Sequence, residues 1–218
     1  ICGLVNGLIV AYGRLQPIIV TLATTSVYAG IALYVRPTPA GDFPFEATQY
    51  WTGSMAFRDW PRGAVWLVLL VGIWLVFRRT RLATSIVAIG SSEGAAFMSG
   101  LNVIRAKILA YTISGTAAGA AGFYLTAQTG NGNALSGQTY MLNTIAAVVL
   151  GGANLAGGAG TYLGTVAGAY IIALIPRVLF FYDVSQFYQE LLQGLVLLAA
   201  VGLGAIGVLR ARNRLDKV

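Results

Sequence analysis

The chain contains no histidine and a single cysteine, Cys2. One cysteine excludes an internal disulfide framework, and without histidine there is no His/Cys metal cluster to build. Charge is scarce as well. Asp, Glu, Lys and Arg make up 10% of the 218 residues, against about 25% in a typical soluble domain. No acidic residue lies in the middle of a long apolar run. Proton- and sodium-coupled carriers often place a carboxylate at that depth, so the pattern weighs against secondary transport. No set of nucleophile, base and acid supports catalysis, no metal site is expected, and the chain reads as non-enzymatic.

What the chain has in abundance is apolar surface and glycine: it is 57% hydrophobic with 28 glycines. Apolar runs recur at 1–13, 18–35, 63–77, 108–127, 139–151, 161–181 and 190–209. Most approach the roughly 17–25 residues that cross a hydrocarbon core. They are continuous rather than alternating, which points to helices and not to a β-barrel. The expected fold is therefore all-α, a polytopic transmembrane helical bundle forming a single membrane domain over residues 1–218. The run at 139–151 is the short one: thirteen residues of helix cover only about 20 Å. Pro17 suits the start of the second span, and Pro176-Arg177 is expected to break the sixth late in its course. The chain opens inside an apolar run, ICGLVNG, without Met or a charged leader, and reads as the later part of a longer protein whose first helices are missing.

The basic residues sit at the ends of these runs. If each run crosses once, Arg14, Arg78, Arg79, Arg81, Arg105, Lys107, Arg210, Arg212, Arg214 and Lys217 share one side, and Arg36, Arg58 and Arg62 the other. Ten against three is a positive-inside bias that places the C-terminus on the cytoplasmic side of the membrane. The net charge of +7 is thus an orientation signal in a lipid bilayer rather than a nucleic-acid surface. Residues 36–62 then form an outer loop, rich in proline, with the acids Asp42, Glu46 and Asp59 and the aromatics Tyr50, Trp51 and Trp60 suited to the headgroup layer. Residues 78–107 form an inner loop around AIGSSEGAAFMSGLNV at Ala88–Val103. A short helix is expected there, over Ser92–Ser99. Ser91 or Ser92 could cap it, Glu93 suits its positive end, and Phe97 and Met98 offer an apolar anchor.

Three segments in one order carry a resemblance: GLVNGLIVAYGRLQPIIVTLATTS at 3–26, AIGSSEGAAFMSGLNV at 88–103, and IAAVVLGGANLAGGAGTYLGTVAGAYII at 145–172. Together they resemble the membrane permease subunits of bacterial ABC sugar importers of the ribose, galactose, arabinose and xylose type, within the superfamily that includes branched-chain amino-acid permeases. The third segment is the most specific. The resemblance implies an importer permease fold with about a hundred further residues at the N-terminus. It implies a separate ATP-binding subunit, so that ATP is not a cofactor of this chain. It also implies a second permease subunit, identical or related, and a periplasmic binding protein that delivers the sugar to the outer loop. The helix that docks into the ATP-binding subunit maps onto Ser92, Glu93, Ala95, Ala96, Phe97, Met98 and Gly100. Ser92 stands where the family often has Asn, Phe97 where it often has Arg, and Ala159 where a basic residue is common. An amino-acid or nucleoside importer permease is the nearest alternative, a secondary carrier or channel a more distant one.

Other candidates divide between path and packing. Asn6, Thr21, Thr25 and Asn143 are polar positions in apolar runs and candidates for a translocation path. Thr21, Thr24 and Thr25 have the competing option of bonding back to helix carbonyls, and the two asparagines that of pairing with a neighbouring helix. The glycines at 151, 152, 157, 158 and 160 superficially suggest a phosphate loop but have no Walker lysine, and read as tight turns and close packing. Gly160, Gly164 and Gly168 are spaced as a packing stripe, against another helix or a second copy of the permease. Arg177 is expected to reach the outer interface or to pair with Asp183 or Glu190.

Overall fold

A computed structural model describes residues 1–41, 44–52, 62–154 and 157–182, with scattered positions from 185 to 202. Expectations for Asp42, Arg58, Asp59, Trp60, Asp183, Glu190, the run 190–209 as a span, and the basic residues from Arg210 onward fall outside those residues. Every named element is a helix: α1 Cys2–Gly13, α2 Pro17–Val35, α3 Phe45–Thr52, α4 Arg62–Arg78, α5 Arg81–Ser91, α6 Glu93–Met98, α7 Val103–Thr129, α8 Gln138–Leu150 and α9 Tyr162–Phe181. Among the described residues, α2, α7 and α9 are each long and apolar enough to cross a membrane, and α4 with α5 passes the same test as a pair bent by 79°. The chain divides into two compact units, Ile1–Gly137 and Gln138–Val218.

In the first unit, α7 is the axis. Its 27 residues extend about 40 Å. The apolar helix α1 packs against it antiparallel and at backbone distance. A Cβ on Gly115 would lie 2.7 Å from the Gly3 Cα, and one on Gly7 3.0 Å from the Ile108 Cα. Gly3 and Gly7 are four apart and so share one face of α1, the small-residue spacing that lets backbones meet where lipid supplies no hydrophobic drive. At the other end of α7, Ala40 and Gly132 exchange two backbone hydrogen bonds of 3.3 Å, and Arg36 donates to the Ala40 carbonyl at 2.8 Å. The connection after α2 is thereby tied to the end of α7.

Three local departures from the sequence reading have physical causes. The stretch 36–62 contains a helix, α3. Its first turn carries Glu46, and its Trp51 stacks on Trp66 at 5.2 Å and meets Phe123 edge-on at 5.2 Å. Those rings bind α3 to α4 and α7, an arrangement that composition does not display. Residues 88–91 belong not to a loop but to α5, a helix started by Thr80, whose hydroxyl oxygen accepts from the Ala83 amide at 3.4 Å. Pro176 does not break α9, which continues to Phe181. Proline removes one backbone donor but leaves the helical φ available, and membrane helices tolerate that.

In the second unit, α8 and α9 pack with glycine against glycine. A Cβ on Gly151 would lie 2.5 Å from the Gly164 carbonyl carbon, and one on Gly168 would run into the Ala147 carbonyl oxygen and sit 2.9 Å from the Gly151 nitrogen. Gly164 and Gly168 therefore face α8 within the same chain. Gly160 is not part of that helical stripe. It precedes the N-cap Thr161 and lies against Ala153. At 13 residues, α8 covers about 20 Å, less than a full crossing. Its end is closed by a Schellman turn in which Ala153 N–H reaches the Val148 carbonyl and Gly152 N–H that of Val149, with Gly152 at φ +80.

The glycine contacts predict a contrast along a single helix. Gly115→Ala places a methyl against the α1 backbone and is expected to destabilise by about 1–3 kcal/mol. Gly119→Ala, where nothing lies within 4 Å, is expected to be neutral or slightly stabilising. Thermal unfolding of the two purified variants in detergent checks this; equal midpoints would show that α1 does not depend on backbone contact.

Candidate functional site

The segment from Ser92 to Lys107 is built almost entirely from helix-terminal chemistry. Ser92 ends α5 and begins α6. Its φ of −158 and ψ of 111 are extended, and its hydroxyl oxygen accepts from the Ala95 amide at 3.3 Å. Only six residues follow before the helix closes. The closure is a second Schellman turn: Leu101 N–H donates to the Ala96 carbonyl at 3.1 Å and Gly100 N–H to that of Phe97 at 3.0 Å. Gly100 sits at φ +79, a left-handed conformation that costs a residue with a Cβ about 1–2 kcal/mol. Two residues on, the Asn102 side-chain oxygen accepts from the Arg105 amide at 3.0 Å and starts α7. The chain thus reverses from α5 through α6 into α7 with each helix end satisfied.

Orientation of the α6 side chains follows. Ala96 is buried, at 4% exposure, where α6 meets its neighbours, while Phe97 and Met98 stand 72% and 83% exposed. Ala96 is therefore the side chain on the inner face of α6, and the outward apolar surface is Phe97 with Met98. Gly94 has open space around it, and Ala95 is exposed, so the flank beside the two large side chains is low and smooth. Glu93 lies in the first turn of α6, where a carboxylate complements the helix dipole. Both of its oxygens lie 2.7 Å from the Lys107 ammonium. The sequence presents Lys107 only as one of the flanking cations; its separation from Glu93 conceals a contact that only the α6–α7 reversal creates.

This segment sits at the cationic end of the first unit. Because α1 runs antiparallel to α7, with Gly3 against Gly115 and Gly7 against Ile108, the Arg14 end of α1 is directed toward the start of α7, which carries Arg105 and Lys107. The α4 helix begins near Tyr124 and runs away from it to the elbow that carries Arg78, Arg79 and Arg81. Arg78 lies over the Trp74 ring at 5.4 Å, holding a cation beside an aromatic ring of the span. Arg36 is at the opposite end, beside Gly132.

The path candidates separate. Asn6 and Tyr28 come together: the Tyr28 hydroxyl donates to Asn6 Oδ1 at 2.9 Å and also lies 3.1 Å from the Cys2 carbonyl. The Thr21 hydroxyl donates to the Pro17 and Ile18 carbonyls, the Thr24 hydroxyl to that of Thr21, and the Thr25 hydroxyl to that of Thr21 at 2.7 Å. All three threonines thus bond back along α2. Asn143 is half-buried in α8 of the second unit. Arg177 is exposed on α9. Among the described residues no group of His, Cys, Asp and Glu could hold a metal ion.

These helices define a multi-pass membrane protein with a capped, outward-facing turn at the cationic end of its first unit. The chain belongs to the family described as branched-chain amino acid transport system / permease component, whose pattern matches residues 1–201. It is similar to the ribose import permease protein of Bacillus subtilis (strain 168), 36% identical over 198 residues, covering 90% of this chain and 62% of that protein. It is similar also to the galactose/methyl galactoside import permease protein of Escherichia coli (strain K12), at 31% over 219 residues, 97% of this chain and 65% of that protein. The D-allose transport system permease protein of the same strain is 32% identical over 202 residues, 92% of this chain and 62% of that protein. The chain thus spans a little under two thirds of the length of these curated relatives. No solved structure matches it.

The caps predict where α6 is fragile. Gly100→Ala is expected to speed hydrogen exchange of the Leu101 amide about tenfold, from a left-handed penalty near 1.4 kcal/mol, and Ser92→Ala to speed that of Ala95 by a comparable factor. Amides of α7 beyond Lys107 should not change. Exchange followed by mass spectrometry reads this; unaltered Leu101 exchange would mean the turn does not hold α6.

Proposed function

We propose that this chain is part of the membrane-spanning permease subunit of an ATP-driven importer, and that it translocates a sugar delivered by a periplasmic binding protein. The reading is supported by similarity over nine tenths of the chain or more to permeases named for ribose, galactose and allose import. The family's description names branched-chain amino acids, so an amino-acid permease is the second reading; the sugar relatives favour the first.

In this proposal ATP is bound and hydrolysed by a separate subunit, and α6 is the part of this chain that subunit grips. The observation that carries the coupling role is the disposition of α6: a short helix fixed at both ends, with Phe97 and Met98 presented outward. Large apolar side chains on a low, smooth surface are what a groove on a partner can close around, and such anchors dominate interface energetics. Ser92, Glu93, Ala95, Ala96 and Gly100 then act behind that surface, as caps, support and turn. The cationic end carrying α6 is the cytoplasmic one, by the positive-inside rule. Arg36, Ala40 and α3 belong to the outer face, where Glu46 is an acid available to the binding protein. Displacement of α6 by closure of the ATP-binding subunit would move α7, and α1 with it.

The sugar path in this proposal involves Asn6, Thr21, Thr25 and Asn143. With the hydroxyl protons of both threonines directed to carbonyls, those residues would meet a sugar as acceptors of its hydroxyl protons rather than as donors. A second permease subunit would complete the pathway.

Phe97→Asp in the full-length protein is expected to weaken association with the ATP-binding subunit at least about thirtyfold, as loss of a buried anchor does, and to abolish ATP-driven sugar uptake while membrane insertion is retained. Co-purification and uptake into cells measure the two effects. Undiminished association and uptake would sink the docking role of α6. Uptake of a branched-chain amino acid in place of any sugar would decide for the second reading.

A further inference from the structure

A helix that is to transmit a displacement has to be joined to what it moves, and α6 is poorly joined by packing. Ala96 is its buried residue, and a single methyl in contact is little to resist a push on Phe97. The peptide connection through Ser99 and Gly100 is a turn with a glycine at its centre, and on its own it would act as a pivot. Ser92 joins the other end of α6 to α5, and the direct link from that end to α7 is ionic. Lys107 lies one turn into α7, and its Nζ stands 2.7 Å from both oxygens of Glu93 at the far end of α6. The pair therefore closes a triangle: the glycine turn joins one end of α6 to α7, and the ion pair joins the other.

The chemistry of the pair suits a strut. An ammonium is a compact charge with no preferred plane, so the contact fixes a distance while tolerating rotation. The Lys107 side chain is 26% exposed against 59% for Glu93, so the lysine is partly held within the reversal. Among the described residues, Glu93 is the only acid near this end of the unit, so Lys107 has one carboxylate to pair with there. Exposed ion pairs contribute little to global stability, which separates a structural role from a mechanical one: removing this pair should leave the fold intact and alter how α6 and α7 move together.

We propose that Lys107 is a positioning residue that couples α6 to α7 through Glu93, so that displacement of α6 becomes displacement of the membrane span. The proposal rests on the reading of α6 as the contact with an ATP-binding subunit. The test uses the full transporter reconstituted in vesicles, with sugar import and ATP hydrolysis measured together. Lys107→Met is expected to keep the ATP-binding subunit bound and the thermal midpoint unchanged. It should raise ATP consumed per sugar imported by about two- to fivefold, the range that loss of such a pair supports. Glu93→Lys should lose import, and the reversed pair Glu93→Lys/Lys107→Glu should recover a substantial part of it. A native ratio in Lys107→Met, a reversed pair no better than Glu93→Lys alone, or loss of the ATP-binding subunit from Lys107→Met would each overturn the proposal. A wild-type complex that imports no sugar with ATP would overturn the underlying reading as well, an outcome distinct from native import with an unaltered ratio.

Discussion

Contact between helix backbones, made possible by glycine, is the constraint on which the first unit depends. Lipid solvates leucine as well as protein does, so apolar side chains give membrane helices little reason to associate. What remains is close packing, and its reach is short. The approach of Gly3 to Gly115 and of Gly7 to Ile108 sets α1 against α7 so tightly that a single methyl would meet backbone. That contact makes α7 part of a rigid pair, and both ends of the pair carry the features that matter. One end holds α6 with its caps, the other the paired backbones of Ala40 and Gly132. The second unit uses the same device between α8 and α9, with Gly151, Gly164 and Gly168.

A rigid axis is useful only if something at its end can be gripped. Six residues cannot form a stable helix alone, since nucleation is costly and propagation too brief to offset it. The helix α6 exists because neighbours satisfy its ends: Ser92 at the start, the Schellman turn at the finish. This explains a composition that otherwise resembles loop filler. Serine is there as a cap, Gly100 for its left-handed backbone, and Ala96 because the buried side of the turn has room for a methyl. The large exposed side chains are confined to the two positions that need no internal role.

Much of this was legible from residue types, because the signals are local. The helix starts at Pro17 and Thr161, the span of α7, the shortness of α8 and the capping of α6 all follow from side chains within a few positions of each other. What was illegible depends on contacts between distant segments. The helix α3 is held by Trp51 against Trp66 and Phe123, and nothing in 36–62 taken alone announces that. The Glu93–Lys107 pair needs the reversal at Gly100 before its two members meet. The Gly3/Gly7 spacing was visible but has the same form as many glycine pairs in this chain, and only the partner helix shows which are used. Gly160 was the opposite error: it fits the four-residue spacing but lies before the helix begins. Pro176 does not end α9, because a proline inside a membrane helix is tolerated where neighbouring groups satisfy the carbonyl it leaves without a donor.

The distribution of charge gains from the structure an argument that counting could not supply. Counting required every apolar run to cross once, an assumption that α8, at about 20 Å, does not satisfy by length. In the first unit α7 provides an internal ruler that needs no such assumption. The contacts of Gly3 with Gly115 and Gly7 with Ile108 direct the Arg14 end of α1 toward the beginning of α7, where Arg105 and Lys107 lie. The α4 helix starts near Tyr124 and leads away from it to Arg78, Arg79 and Arg81, and α5 then returns the chain to α6. Arg36 is held by Ala40 beside Gly132, past the other end. The asymmetry is thus a property of one packed unit, whatever α8 does. Of the cations at the α7 start, Lys107 has a carboxylate partner, Glu93. An orientation signal needs its cations free to seek the aqueous, anionic side of the membrane, and among the described residues the cation paired with a carboxylate is the lysine that joins α6 to α7.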